Sequence, residues 1–331
     1  MPTWKKTVIT VLVFLLLMVC LLAGLLWFKL NGIDRIGDEH RIDASDEDFE
    51  RDADTLLDTM KDSDMDFTTA NVLKDQDVVN ILLIGRDTRE NERGRSDSMI
   101  VLSLNRGTKQ ISMVSLMRDS YVQIPGYSNN KLNSAFAFGG YELLDETIEK
   151  NYGIHIDYNV GVNFDGFERV IDQLGGIEVE LTKAEAKYLM DDIYINAGKL
   201  KEGPNLLNGE TALCYARARY VSTGTEANDF GRTARQRIVL TKVYEKMMKK
   251  SLPEIWKLLD SVMDCMETDM SNMDIVSLGT EFYNMGISNL QSYRLPMDGE
   301  FSDEKVNGMA VLALNWDKTR SHLQEWLYPA H

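Results

Sequence analysis

The chain has 331 residues, with 36 Lys and Arg against 52 Asp and Glu, a net charge of −16 and 44% hydrophobic residues. That is enough apolar material for one large domain or two small ones, and it excludes wholesale disorder, a collagen-like repeat and a disulfide scaffold. Cys20, Cys214 and Cys265 permit at most one bridge outside the membrane, and the acidic balance argues against a nucleic-acid partner.

Residues 7–28 contain no charge in 22 positions. A helix of that length spans roughly 33 Å, enough for a hydrocarbon core of about 30 Å. The run is too long for the h-region of a signal peptide and no small-x-small cleavage site follows, so it reads as an uncleaved transmembrane anchor. Met18 and Val19 stand where a lipoprotein cysteine at Cys20 would need small residues before it. Lys5 and Lys6 precede the run, so the positive-inside rule puts the tail 1–6 in the cytoplasm. The expectation is a single-pass type II cell-membrane protein with its domain on the extracellular side. Residues 29–76 read as an acidic juxtamembrane stalk: from Asp34 to Asp66 there are fourteen acids and four bases, a local balance of −10. These acids lack the oxygen-ligand spacing of a calcium loop.

Residues 77–331 read as one α/β domain. Strands are predicted at 78–84, 99–104 and 110–116, the last two joined by a hairpin loop at 105–109. A helix at 139–152 follows, then a strand at 158–163, a helix at 164–174 stopped by Gly175-Gly176, and a strand at 177–181. Helices are expected at 182–191, 208–215 and 229–250. The last eighty residues suggest two helices, strands near 292–295 and 309–314, and a final helix. Alternating strands and helices predict a three-layer α/β/α domain with a central mixed sheet, preceded by the single N-terminal transmembrane helix.

Four segments carry arginines and aspartates at strand or helix ends, where α/β folds place their sites. They are Gly85-Arg86-Asp87-Thr88-Arg89, Arg95-Ser96-Asp97-Ser98, Arg118-Asp119, and a split group of Arg217, Arg219, Asp229, Arg232, Arg235 and Gln236. Singly, each reads as surface charge or a turn cap, and Asp229 reads as a helix N-cap. Together they suit a polyphosphate with a divalent cation, guanidiniums binding phosphate oxygens and carboxylates holding the metal. Arg232, Arg235 and Gln236 share one face at the start of a helix, with Val239 and Val243 continuing the stripe. Arg217 and Arg219 are two apart, so both reach one phosphate only if the chain leaves the helix by Ala218.

At this point the chain resembles the LytR-CpsA-Psr family of Gram-positive cell walls, over roughly residues 77–250. The matching stretches are NILLIGRDTR, RSDSMIVLSLN, ISMVSLMRDSYVQIPG, KLNSAFAFGGYELLDETIE, VNFDGFERVIDQLGGIEVEL, LNGETALCYARARY and DFGRTARQRIVL, in order. Two departures stand out: Arg86 where a small or uncharged residue is usual, and Met117 where a proline often precedes the Arg-Asp pair. The resemblance implies transfer of a glycopolymer from a polyprenyl-pyrophosphate carrier to the C6 hydroxyl of N-acetylmuramic acid in peptidoglycan, making a phosphodiester. It implies Mg²⁺ at Asp87 and Asp97, with Arg89, Arg95, Arg118, Arg217, Arg219, Arg232 and Gln236 around the pyrophosphate. It also implies a lipid tunnel, for which Val239 and Val243 are candidates.

His40, His155, His322 and His331 all fall outside the matched stretches. Asp97 or Asp87 is therefore left as the base, beside Arg118 in the catalytic set. Cys214 reads as core. The alternative is a membrane-anchored polyprenyl-phosphate-binding or regulatory protein without turnover. Expected partners are the lipid-linked glycopolymer, peptidoglycan and membrane lipid, with no nucleic acid.

Overall fold

The structure is a computed structural model that describes residues 30–37, 70–86, 96, 98–192, 195, 198–224, 226, 228–284 and 290–329. Its strands are β1 (Asp34–Arg35), β2 (Val78–Arg86), β3 (Ser98–Asn105), β4 (Gln110–Leu116), β5 (Tyr121–Val122), β6 (Asn130–Lys131), β7 (Tyr158–Asn163), β8 (Ile177–Leu181), β9 (Gly203–Leu207), β10 (Met266–Thr268), β11 (Leu290–Leu295), β12 (Phe301–Val306) and β13 (Met309–Leu314). Its helices are α1 (Leu132–Tyr152), α2 (Phe164–Gln173), α3 (Lys183–Asp191), α4 (Gly209–Arg217), α5 (Asn228–Met247), α6 (Leu252–Asp260), α7 (Asn272–Asn284) and α8 (Trp316–Leu327).

Seven strands form the central sheet in the order β1-β10-β7-β2-β3-β4-β11. It is mixed: β2 runs parallel to β7 and antiparallel to β3, while β11 runs parallel to β4. The two-residue period of a strand sends alternate side chains to opposite faces. On one face Leu82, Ile84, Met99, Val101, Val114 and Leu116 pack with Leu143, Leu144 and Ile148 of α1 and Trp316 and Leu323 of α8. Each such side chain fully buried contributes about 1.5–3 kcal/mol. On the other face Val79, Leu104 and Ile111 meet Tyr244 of α5 and Leu278 and Phe282 of α7. A second core lies outside that layer, where the antiparallel pair β8–β9 and α2 to α5 enclose Ile171, Val179, Leu189, Leu207, Tyr215 and Val239.

Local signals explain the element starts that shape the site. Asn163, the last residue of β7, accepts a hydrogen bond from Gly166 N at 2.9 Å, so the strand turns directly into α2. Thr182 and Glu185 form a capping box at α3, and Asn208 accepts from Thr211 N at 2.9 Å to start α4. At Gly209 an added Cβ would lie 2.7 Å from Glu168 Cα, so only glycine lets α4 approach α2 this closely.

The expected strands and helices up to α5 are present, with ends shifted by at most three residues except at the start of α1. The helix expected at 139–152 extends back to Leu132 across a break at Gly139 and Gly140, whose φ/ψ are −150°/23° and 62°/−150°. The sequence reading starts at that break and misses the apolar turn before it. The unforeseen β12 pairs with β13 through Asn307 and Gly308, both at positive φ (51° and 82°), as a two-residue hairpin turn demands. The ends of the expected stalk belong to the domain: β1 pairs with β10, and Leu73 bridges to Ile154. No helix among the described residues is long and apolar enough to cross a membrane; the apolar run 7–28 lies outside them.

Between α1 and the sheet sits a buried carboxyl, Asp145. Burial pushes its pKa up to about 8 against the hydrogen bond from Asn159 Nδ2, and Asp269, Glu149 and Glu146 push it further up. The folded value lies above the unfolded value of about 3.9, so folding takes up a proton and stability falls as pH rises from about 4 to about 8, levelling above that. Asp145→Asn removes this titration. The variant should gain on wild type with rising pH, by more than about 1 kcal/mol between pH 4 and pH 8, read from urea midpoints.

Candidate active site

A cavity of about 470 Å³ lies between the sheet face carrying Leu83, Ile100 and Val162 and the helices α2, α4 and α5. Phe164, Phe167, Val170, Leu213, Leu240 and Val243 extend the apolar part of its wall. Gly85, Ser98, Asn163, Arg217, Arg219, Arg232 and Gln236 line it as well, so guanidiniums adjoin a hydrocarbon-like chamber. Each cation there is expensive to strip of water unless paired or offered an anion.

The arginines come together because α4 stops where it must. Its last residue is Arg217, and Ala218 leaves the helix at φ −59°, ψ 128°, letting Arg217 and Arg219 line the same cavity despite their two-residue spacing. Arg217 Cζ stacks 4.4 Å from the Phe164 ring centroid. From α5, Arg232 and Gln236 face the cavity, and Gln236 Oε1 accepts from Ser98 Oγ at 3.0 Å.

One carboxylate ties this group to Arg118. Asp229 Oδ2 receives Arg118 Nε at 3.0 Å and Nη2 at 2.8 Å. Its Oδ1 lies 3.7 Å from Arg219 Nε and 3.6 Å from Arg232 Nη2. Behind Arg118, burial raises the Asp119 carboxyl, but the Lys131 ammonium 2.7 Å away and Arg118 itself hold it below the ordinary carboxylate range. The helix cap expected at Asp229 is thus an arginine-ordering group. Its only sequence signal is its place three residues before Arg232.

Arg235 does not join the cavity face. It is fully buried, with Nε 2.9 Å from Glu185 Oε1, Nη1 donating to Ala218 O at 2.9 Å and Nη2 to Val221 O. It therefore clamps the segment that carries Arg219. Val239 is also off the cavity: it packs in the second core with Ile171 and Tyr215, while Val243, a turn further on, lines the chamber. Arg86 ion-pairs with Glu267, whose other oxygen accepts from the Tyr141 hydroxyl, so the unusual charge is neutralised beside the site. Met117 is buried, and Thr233 Oγ1 donates to its Sδ at 3.8 Å. Burial and the neighbouring Asp192 push the Cys214 thiol up to about 12, which makes it inert as a nucleophile. His155 and His322 are engaged with Glu149 and Glu300, away from the cavity lining.

Asp87, Arg89, Arg95 and Asp97 lie outside the described residues. Asp87 directly follows the end of β2 and Asp97 directly precedes β3, whose register closes at Gly85 opposite Ser98, two residues of the cavity lining.

The LytR_cpsA_psr family model matches residues 42–325. The chain belongs to the LytR_cpsA_psr family. It is 32% identical over 260 residues to the "Regulatory protein MsrR" of Staphylococcus aureus (strain COL), covering 77% of this chain and 76% of that protein. Against the "Polyisoprenyl-teichoic acid--peptidoglycan teichoic acid transferase TagU" of Enterococcus faecalis the identity is 35% over 215 residues, 63% of this chain and 67% of the relative. Among solved structures, the "LytR-CPS2A-psr family protein YwtF (TagT) with bound octaprenyl pyrophosphate lipid" superposes with a TM-score of 0.60 at 26% identity, covering 79% of this chain and 97% of that one.

The Arg235 clamp yields a stability prediction. Arg235→Met leaves Glu185 buried without its cation and should cost about 3–5 kcal/mol in urea denaturation. Adding Glu185→Leu to that variant should recover part of the loss.

Proposed function

We infer that this chain is a phosphotransferase that moves a glycopolymer from a polyprenyl-pyrophosphate carrier to peptidoglycan and forms a phosphodiester link. The observation that carries the reading is a single cavity whose body is apolar and whose polar group holds Arg217, Arg219, Arg232 and Gln236. A polyprenyl tail matches the first part and a pyrophosphate the second. The family relatives named above bring the carrier and the acceptor: one holds octaprenyl pyrophosphate, another is named for transfer of teichoic acid to peptidoglycan.

In this reading the tail fills the chamber beside Leu83, Phe167 and Val243, and the arginines hold the pyrophosphate oxygens. Arg118 serves through Asp229, and Arg89 and Arg95 complete the set. An acceptor hydroxyl oxygen attacks the phosphorus that bears the glycopolymer. The bond from that phosphorus to the bridging oxygen breaks, polyprenyl phosphate leaves, and the hydroxyl proton passes to Asp97 or Asp87. The guanidiniums offset the charge that develops on the leaving phosphate.

Asp87 and Asp97 are the residues we assign to Mg²⁺. Two hard carboxylates beside neighbouring strand ends, with substrate phosphates supplying further oxygens, fit that ion's habit of using one or two protein carboxylates. Ser96 Oγ, buried and without a partner among the described residues, adds a polar group between Arg95 and Asp97. When bound, the ion would neutralise phosphate charge. We further propose that residues 7–28 anchor the chain as a single-pass type II protein, with the domain outside the cell.

A second reading, a regulatory binder without turnover, is kept open by the relative named a regulatory protein. Transfer from lipid carrier to a peptidoglycan fragment, measured beside lipid binding, separates the two. Asp87→Asn and Asp97→Asn should abolish transfer and leave lipid binding largely intact. Wild type that binds lipid yet transfers to no acceptor would establish the binder. Arg217→Ala or Arg219→Ala should each weaken carrier binding by about 1.5–3 kcal/mol, the scale of a hydrogen bond to a charged group. Lys should substitute poorly because it cannot fork to two oxygens. Protease added to protoplasts should digest the domain; full protection contradicts the proposed topology.

A further inference from the structure

A second, smaller pocket of about 120 Å³ lies at the ends of β2 and β7, lined by Asp34, Arg86, Gly161, Asn163, Asp264 and Glu267. The sheet register explains why these residues meet. Asp34 of β1 pairs with Glu267 of β10, Glu267 with Gly161 of β7, and Arg86 of β2 with Asn163 of β7. Register partners share a face, and the two-residue period puts Gly161 on the face opposite Val162. Val162 lines the carrier chamber, whereas a Cβ on Gly161 would point at the Tyr141 hydroxyl of α1. The two cavities therefore occupy opposite faces of the sheet at the same strand ends, and Asn163 lines both.

The chemistry of this pocket differs from that of the chamber. Glu267 is held in place: Oε2 pairs with Arg86, Oε1 accepts from the Tyr141 hydroxyl, and a Cβ at Gly161 would lie 2.6 Å from Oε1. A carboxylate offers about four lone-pair sites, so each oxygen keeps capacity for another donor. The Glu267 side chain is 20% exposed, and Arg86 Nε is a buried donor without a partner among the described residues. Asp34 adds an exposed carboxylate, while Asp264 is paired with Arg169 at 2.9 Å. Fixed acceptors beside a spare donor suit neutral hydroxyl groups. Three carboxylates repel a phosphate, and the arginines on two of them disfavour a bare divalent cation. The volume admits the hydroxyl-bearing edge of one sugar, not a length of polymer.

We propose that this pocket is the acceptor subsite, where Glu267, Asp34 and Arg86 hold the hydroxyl-bearing edge of the acceptor sugar. Phosphoryl transfer needs the attacking and leaving oxygens roughly in line. With polyprenyl phosphate leaving on the chamber side, the acceptor hydroxyl approaches the phosphorus from the other side. This pocket lies on the other face of the same strand ends. The inference rests on the transferase reading and gives its second substrate a place.

The test uses the full chain with Glu267→Gln, which keeps the side-chain shape, and Asp34→Ala, at an exposed position. Transfer is measured against the concentration of a peptidoglycan disaccharide fragment, beside the affinity for polyprenyl pyrophosphate. Each variant should raise the half-saturating fragment concentration at least about threefold, with carrier affinity changed by less than about twofold. Unchanged acceptor dependence in both variants would overturn the proposal. A lower maximal rate at unchanged half-saturation would make Glu267 a structural brace and overturn it too. Weaker binding of a sugar-bearing carrier, with bare polyprenyl pyrophosphate unaffected, would give the pocket to the donor's first sugar instead. A photoreactive form of the same fragment reads the site without turnover. Adducts on residues 34, 86 and 264–267, lost in the double variant, are the expected result; adducts confined to other residues contradict it. Wild type that is labelled there yet transfers nothing would sink the transferase reading while upholding a saccharide site.

Discussion

Asp229 is the constraint on which the site depends. Arg118, Arg219 and Arg232 arrive from a strand end, a post-helical segment and the first turns of α5, and all three reach its two oxygens within 3.7 Å. Guanidiniums gathered on one carboxylate also repel one another, on a scale of about 4 kcal/mol for two like charges 4 Å apart in a medium of intermediate dielectric. One shared carboxylate offsets that repulsion and leaves the guanidiniums with further donors for an anion. The three cations are thus held together by a carboxylate of the protein itself.

The apolar and charged parts of the cavity are consequences of the same strand and helix periodicities. β2 presents Leu83 and Gly85 to the chamber, and β3 presents Ile100 and Ser98, so moving along each strand passes from tail-like to phosphate-like surroundings. α5 does the same, with Arg232 and Gln236 on its first turns and Leu240 and Val243 beyond. An amphiphile with one charged end fits such a gradient in one direction only. The second core behind α2, α4 and α5 keeps this wall in place, with Arg235 tying α5 to the segment after α4.

Much of this was legible in the sequence, for identifiable reasons. Apolar runs and Gly-Gly stops marked β2, β7 and α2, since those elements bury residues at their own periods. The spacing of Arg217 and Arg219 required a helix end at Ala218, and the backbone leaves the helix there. What stayed hidden depends on long-range partners. Arg235 shares the sequence spacing of Arg232 and Gln236, but its side chain turns to Glu185, fifty positions earlier. Asp229 looks like a cap until Arg118 is brought to it from 111 residues away. Val239 sits on the expected stripe yet faces the second core, because α5 is covered on two sides. β12 alternates poorly and is betrayed only by its Asn-Gly turn.

The most direct measurement of the central claim is the affinity of the full chain for a polyprenyl pyrophosphate with and without Asp229→Asn. If the arginines acted only as net positive charge, removing a neighbouring negative group would tighten binding. If Asp229 gathers them into one anion-binding group, the variant should bind about tenfold more weakly despite its higher positive charge, a difference of about 1.4 kcal/mol. Equal or tighter binding by the variant would contradict the account.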